Sequence, residues 1–131
     1  MENIENIELT YLSIDDYAEL KQAMIDSYSS MPNYYWREHH IDSLLEKFPE
    51  GQVVIKVDQQ IAGCALSILV DYDLFDDKHT YNEITANLSF DTHDNEGNVL
   101  YGIEVFIKPE FRGLRLGRRF YDYRKDLLSQ H

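Results

Sequence analysis

The stretch from Tyr101 to Arg119 gathers the residue types that can hold an anion. It reads as a strand ended by Pro109, a tight turn containing Gly113 and Gly117, and the start of an arginine-rich helix. The first turn of a helix presents backbone N–H groups without intrahelical acceptors and lies at the positive end of the helix dipole. A pyrophosphate placed there gains several hydrogen bonds at once, and glycines let it approach the backbone closely. Of the twelve Lys and Arg, seven lie between 108 and 125 against Glu110 and Asp122 only, a local excess of +5 in a chain of net charge −12. A compact basic patch on an acidic body suits a small polyanion such as a cofactor phosphate. It argues against nucleic acid and anionic membranes, which would meet the acidic flanks.

Other reactive side chains carry weaker patterns. Cys64, the single cysteine, sits in Ile61-Ala62-Gly63-Cys64-Ala65-Leu66, the wording of a buried strand, and has no partner for an intramolecular disulfide. His39-His40 and His79 with Asp71, Asp73, Asp76 and Asp77 match no defined ligand spacing, so no metal is expected. His93-Asp94 invites an acid–base reading, but Asp94-Asn95-Glu96-Gly97 around it is turn chemistry.

The elements that must position these residues follow from periodicity. Ile7 to Leu12 reads as a strand, and Ser13 with Asp16 forms a capping signal for a helix from Ile14 to about Tyr28, with Tyr17, Leu20 and Met24 on one face. A loop holding Pro32, Tyr34, Tyr35 and Trp36 leads to a second helix marked by Ile41, Leu44, Leu45 and Phe48 and closed by Pro49. Gln52–Val57 and Ile61–Val70 are β-branched runs separated by Asp58-Gln59-Gln60, the spacing of an antiparallel hairpin. After an acidic, aromatic segment, a short helix is expected near Tyr81 to Leu88, a turn over residues 91–98, a strand over Val99–Ile107, and a helix over Gly113–Leu128. In that last helix Leu116, Phe120, Tyr123 and Leu127 share one side.

The 131 residues have the size of one domain, 1–131, and 44% hydrophobic with 27% charged residues is a folding composition. No stretch approaches the length of a membrane span and the start lacks secretory features, so the chain is read as cytoplasmic.

Arg112-Gly113-Leu114-Arg115-Leu116-Gly117, after a strand and the phrase Pro109-Glu110-Phe111, resembles the Arg/Gln-x-x-Gly-x-Gly/Ala signature of the GNAT N-acetyltransferase superfamily. With the phrases Gly63-Cys64-Ala65-Leu66-Ser67 and Thr92-His93-Asp94, the wording is most similar to GNAT domains that precede a carbon-nitrogen hydrolase (nitrilase-like) domain in longer bacterial proteins. One departure is Arg115, which stands where the family usually has its first glycine. Its amide still donates, and its guanidinium adds a potential phosphate contact.

The resemblance implies an α+β fold of GNAT type, a mixed, mainly antiparallel sheet with helices on both faces. It implies acetyl-CoA as co-substrate, with the pantetheine arm on the backbone of Val105, Phe106 and Ile107. The pyrophosphate would lie on Arg112, Gly113, Leu114, Arg115, Leu116, Gly117 and Arg118. Glu104 would deprotonate a small-molecule or peptide amine acceptor, the alternative being a strand carboxylate paired with an arginine. Tyr34, Tyr35 and Trp36 would line the acceptor pocket, ordinary packing being the alternative. The two functions implied are N-acetyl transfer to an amine and non-catalytic acyl-CoA binding in a longer hydrolase protein. Because the family continues past its signature helix while this chain ends at His131, a C-terminally incomplete sheet is expected, with an exposed edge that predicts a homodimer.

Overall fold

Gln60–Val70 is apolar along almost its whole length, and a strand of that kind must be covered on both faces. In a computed structural model that describes residues 6–31, 33–74, 80–86 and 88–129, it is a central strand of a four-stranded sheet. The strands are β1 (Ile7–Tyr11), β2 (Val53–Val57), β3 (Gln60–Val70) and β4 (Val99–Ile107), in the order β1-β2-β3-β4. All three pairings are antiparallel, so the described strands supply the antiparallel part of the expected sheet.

The helices α1 (Tyr17–Ser27), α2 (Glu38–Lys47), α3 (Tyr81–Ile84) and α4 (Leu116–Ser129) divide between the two faces. Leu20 and Met24 of α1 and Ile41 and Leu44 of α2 pack with Cys64, Leu66 and Phe106 on one side. Leu116 and Phe120 of α4 pack with Val53, Ile55 and Ala65 on the other. The alternation of successive β3 residues between these two layers is the period of two that a pleated strand requires.

Three boundaries differ from the sequence expectation, each for a backbone reason. Ser13 does cap, accepting from the Asp15 amide at 3.3 Å while its own amide donates to the Asp16 carboxylate at 3.1 Å. The turn it caps, however, is a 3-10 turn over Ile14–Asp16, and α-helix begins only at Tyr17. The short helix stops at Ile84 because Ala86, Leu88 and Phe90 take positive φ of 53°, 70° and 61°. The last helix starts at Leu116 rather than Gly113, because φ of +94° at Gly113 and +59° at Arg115 cannot propagate a right-handed helix.

The β2–β3 hairpin turns on Asp58 and Gln59 alone, whose φ values of 49° and 71° fit the type I′ geometry that matches strand twist. Cys64 is fully buried, as its wording predicted. Among the described residues no cluster of His, Cys, Asp and Glu could hold a metal, while His79, Asp76 and Asp77 lie outside them. His93 is a structural group. Its Nδ1 accepts from the Leu69 amide at 3.1 Å, and its ring stacks on Phe48 at 4.7 Å.

Candidate functional site

The register between β3 and β4 shifts at one place. Leu66 faces Glu104 while the next residue, Ser67, faces Gly102, so Ile103 is an inserted residue. On the far side of this bulge Gly102 leaves room for the Arg124 guanidinium, whose Nη1 would stand 3.1 Å from a Cβ placed there. Arg124 donates to the Leu66 carbonyl at 3.0 Å and so clamps the irregular stretch from α4. The result is that Ile103 and Glu104, neighbours in sequence, both meet the layer covered by α1.

Glu104 is 9% exposed and accepts three bonds from aromatic side chains. Tyr28 donates to Oε2 at 2.5 Å, while Tyr34 at 2.8 Å and the Trp36 indole at 3.2 Å donate to Oε1. No arginine pairs with this carboxylate among the described residues. Burial, then the bond to Glu104, pushes the Tyr34 hydroxyl up to about 12, and the same causes carry Tyr28 higher still. Both phenols therefore stay protonated and donating at neutral pH. Oε1 is saturated, and Oε2 keeps one lone pair for a further donor.

A pocket of about 480 Å³ opens beside this cluster, between the loop before α2, the start of α3 and the bulge. Tyr34, Trp36, Tyr81, Leu88 and Ile103 form its apolar walls. Asn33, Arg37, His40 and Asn82 supply its polar groups. Tyr35 also lines it, with its ring faced by Arg37 at 4.3 Å and Lys21 at 4.6 Å. Burial, then the neighbouring His39, holds the His40 imidazole below its ordinary pKa.

The second group of candidates lies along β4 and beyond it. Lys108 donates its amide to the Ala62 carbonyl at 2.7 Å, and Cys64 and Phe106 are partners two residues back. Antiparallel alternation therefore turns the Phe106 amide toward β3 and those of Val105 and Ile107 toward the outer edge, where no strand pairs among the described residues. Phe106 is a core residue, 5% exposed, so of the three expected β4 contacts only its two neighbours present backbone to a ligand.

After the turn over Pro109–Phe111, Arg112 is extended, Gly113 and Arg115 are left-handed, and Leu116 anchors α4 at 2% exposure. Arg112, Gly113, Arg115, Gly117 and Arg118 are exposed and Leu114 is half-buried. Arg118 pairs with Asp122 at 3.5 Å, whereas Arg112 and Arg115 have no carboxylate within 4 Å among the described residues. A Cβ at Gly117 would meet nothing within 4 Å, so the space in front of the first turn of α4 is open.

The structure thus brings Tyr34 and Trp36 to Glu104, turns Tyr35 toward two cations, and keeps the turn residues 112–118 together as a separate unit. Sequence reasoning missed Tyr28, Tyr81, Arg37 and His40. Tyr28 carried a usable signal, an aromatic at a helix end, but its partner is 76 residues away.

Comparison with known proteins agrees with this fold. Residues 17–131 match the Acetyltransferase (GNAT) family. YhcX of Bacillus subtilis (strain 168), which carries the name "Probable hydrolase", is 40% identical over 92 residues, 70% of this chain and 18% of that protein. YkwB of the same organism, named "Uncharacterized N-acetyltransferase", is 29% identical over 83 residues, 63% of this chain and 37% of its own length. The chain therefore spans well under half the length of these curated relatives. Among solved structures, the loading GNATL domain of CurA from Lyngbya majuscula superposes with a TM-score of 0.70 at 23% identity, over 91% of this chain and 56% of that one. The GphF GNAT-like decarboxylase in complex with isobutyryl-CoA gives 0.70 at 14% identity, over 88% and 56%. With the signature turn, the sheet order and a family match over most of its length, the chain belongs to the acetyltransferase (GNAT) family.

Proposed function

We propose that this chain binds acetyl-CoA along β4 and transfers its acetyl group to a primary amine. The observation that carries the reading is the continuity of one ligand track. The free-edge amides of Val105 and Ile107 lead into the left-handed turn at Gly113 and Arg115 and then to the open N-terminus of α4. Strand-like bonds to Val105 and Ile107 suit a pantetheine arm, and the amides of residues 113–118 with the nearby guanidiniums suit a pyrophosphate. The family match, and a neighbour of the same fold solved with isobutyryl-CoA, support an acyl-CoA as donor.

In this reading the acceptor enters the aromatic pocket as an ammonium ion and gives up a proton before it attacks. Tyr34 lines the pocket and already donates to Glu104, so its oxygen can take a proton from the amine as its own proton passes to Glu104. The free amine then attacks the thioester carbonyl and forms the amide. The coenzyme leaves as thiolate and takes up the proton that the attacking nitrogen loses on becoming an amide, while Glu104 returns its own proton to solvent through Tyr34.

Titrating acetyl-CoA and dephospho-CoA calorimetrically into the wild-type chain and into Gly117→Trp tests the binding part. The open space at Gly117 means that the bulky side chain is tolerated by the fold, so loss of binding in the variant supports the site, and undiminished binding rejects it.

The match to YhcX favours a second reading. Because this chain corresponds to 18% of that protein, a hydrolase activity there would reside in other parts, and this domain would serve as a non-catalytic acyl-CoA-binding or regulatory unit. Coenzyme binding without acetyl transfer in the longer protein, with an effect of CoA on the attached enzyme, would select it.

A further inference from the structure

The pocket beside Glu104 is polarised in a direction opposite to the protein as a whole. The chain carries a net charge of −12, which would attract a simple cation, yet Arg37 carries the one formal charge among the described lining residues. The guanidinium carbon lies over the Tyr35 ring at 4.3 Å, a cation–π contact that consumes none of its N–H donors. Lys21, over the same ring at 4.6 Å, adds a second positive charge. Glu38 follows Arg37 in sequence but makes no ion pair with it within 4 Å among the described residues.

His40 joins these groups in the lining. Its Nδ1 accepts the Arg37 amide at 3.3 Å, so in the neutral ring that its environment favours the proton sits on Nε2, a donor. Tyr34, three residues before Arg37 in the same loop, joins the cavity to the buried carboxylate of Glu104. Aromatic walls line the same cavity, whose volume suits a small molecule rather than a polymer.

We infer that the acceptor is a small amphoteric amine with an aromatic body, an amino-acid-like molecule whose carboxylate is held by Arg37 and His40 while its amine reaches Tyr34. This deepens the acyl-transfer reading and rests on it for the role of the amine. It rests on the pocket alone for the role of the carboxylate.

Trp36 is the only tryptophan and lines the pocket, so its fluorescence reports occupancy directly. Three probes separate the groups: phenylalanine, phenethylamine without the carboxylate, and 3-phenylpropionate without the amine. Phenylalanine should bind about tenfold tighter than phenethylamine, the discrimination a charge-assisted contact supplies. Arg37→Gln should bring phenylalanine down to the phenethylamine level and abolish 3-phenylpropionate binding. Equal or tighter binding of phenethylamine to the wild-type chain would overturn the inference. So would silence of Trp36 toward all three probes while acetyl-CoA still titrates calorimetrically, a result that leaves the coenzyme site standing. Failure of acetyl-CoA itself to bind would instead strike the acyl-transfer reading.

Discussion

Two chemically different regions meet on β4. The cluster of Tyr28, Tyr34, Trp36 and Glu104 is assembled across separations of 68 to 76 residues and surrounds a buried carboxylate. The turn from Arg112 to Arg118 is seven consecutive residues, exposed at most positions and rich in positive charge. The first exists only when α1, the loop before α2 and β4 are all docked. The second is specified by backbone angles at Gly113 and Arg115 and by the anchoring of α4. Stability and chemistry are therefore coupled in the first region and separable in the second.

Phe120→Ala should have the largest effect. It removes a ring 2% exposed that holds α4 to the sheet, and urea denaturation should show a loss of about 3–5 kcal/mol. Glu104→Gln tests the coupled region. It replaces an acceptor of three bonds by a group that presents an N–H to one of the donors, at a cost of about 1–3 kcal/mol in stability. Acetyl transfer should fall by about a hundredfold or more while acetyl-CoA affinity is retained, and a variant of undiminished turnover would remove Glu104 from the proton path.

The separable region should respond to paired changes of opposite sign. Gly113→Ala forces a side chain into φ of +94° and should cost about 1–2 kcal/mol, although the space around it is empty. Arg115→Gly relieves the left-handed residue and should stabilise by up to about 1 kcal/mol, with coenzyme binding preserved through the backbone amide. Equal thermal shifts in the two variants would mean that the turn is not held by its backbone angles.

The mildest perturbation is alkaline pH. Tyr34 and Tyr123 are each pushed up to about 12, chiefly by burial, and Tyr28 and Tyr81 are raised further. Because folding raises these values, the stability they confer is complete below the ordinary tyrosine pKa of about 10 and is lost as pH climbs toward 12 and beyond. Ultraviolet absorbance of tyrosinate should show these four phenols ionising only as the chain unfolds.

This contrast also governs what could be read from the residues alone. The four strands and the three longer helices were legible because their patterns are local and periodic, as in Leu116, Phe120 and Leu127. The signature turn was legible because Gly113 and Gly117 follow Pro109 just ahead of an amphipathic helix pattern. Its helix start was misplaced because only φ at Arg115 reveals that a non-glycine residue occupies a left-handed position. Tyr34 and Trp36 could be suspected from their loop, but their convergence on Glu104 with Tyr28 depends on the inserted Ile103, and nothing in the wording Gly102-Ile103-Glu104 announces a bulge. Arg37 carried no signal in the sequence, and only its place in the pocket lining singles it out.

Cys64 lies in the layer beneath Glu104, fully buried, with a thiol that burial and the nearby carboxylate hold far above its ordinary pKa. A soluble disulfide reagent can reach it only when α1 or β4 lifts from the central strand, so its labelling rate is an intrinsic clock for opening of the layer around Glu104. A ligand that bridges the aromatic pocket and β4 should slow that clock, whereas one confined to the turn at the start of α4 should leave it running at its unliganded pace.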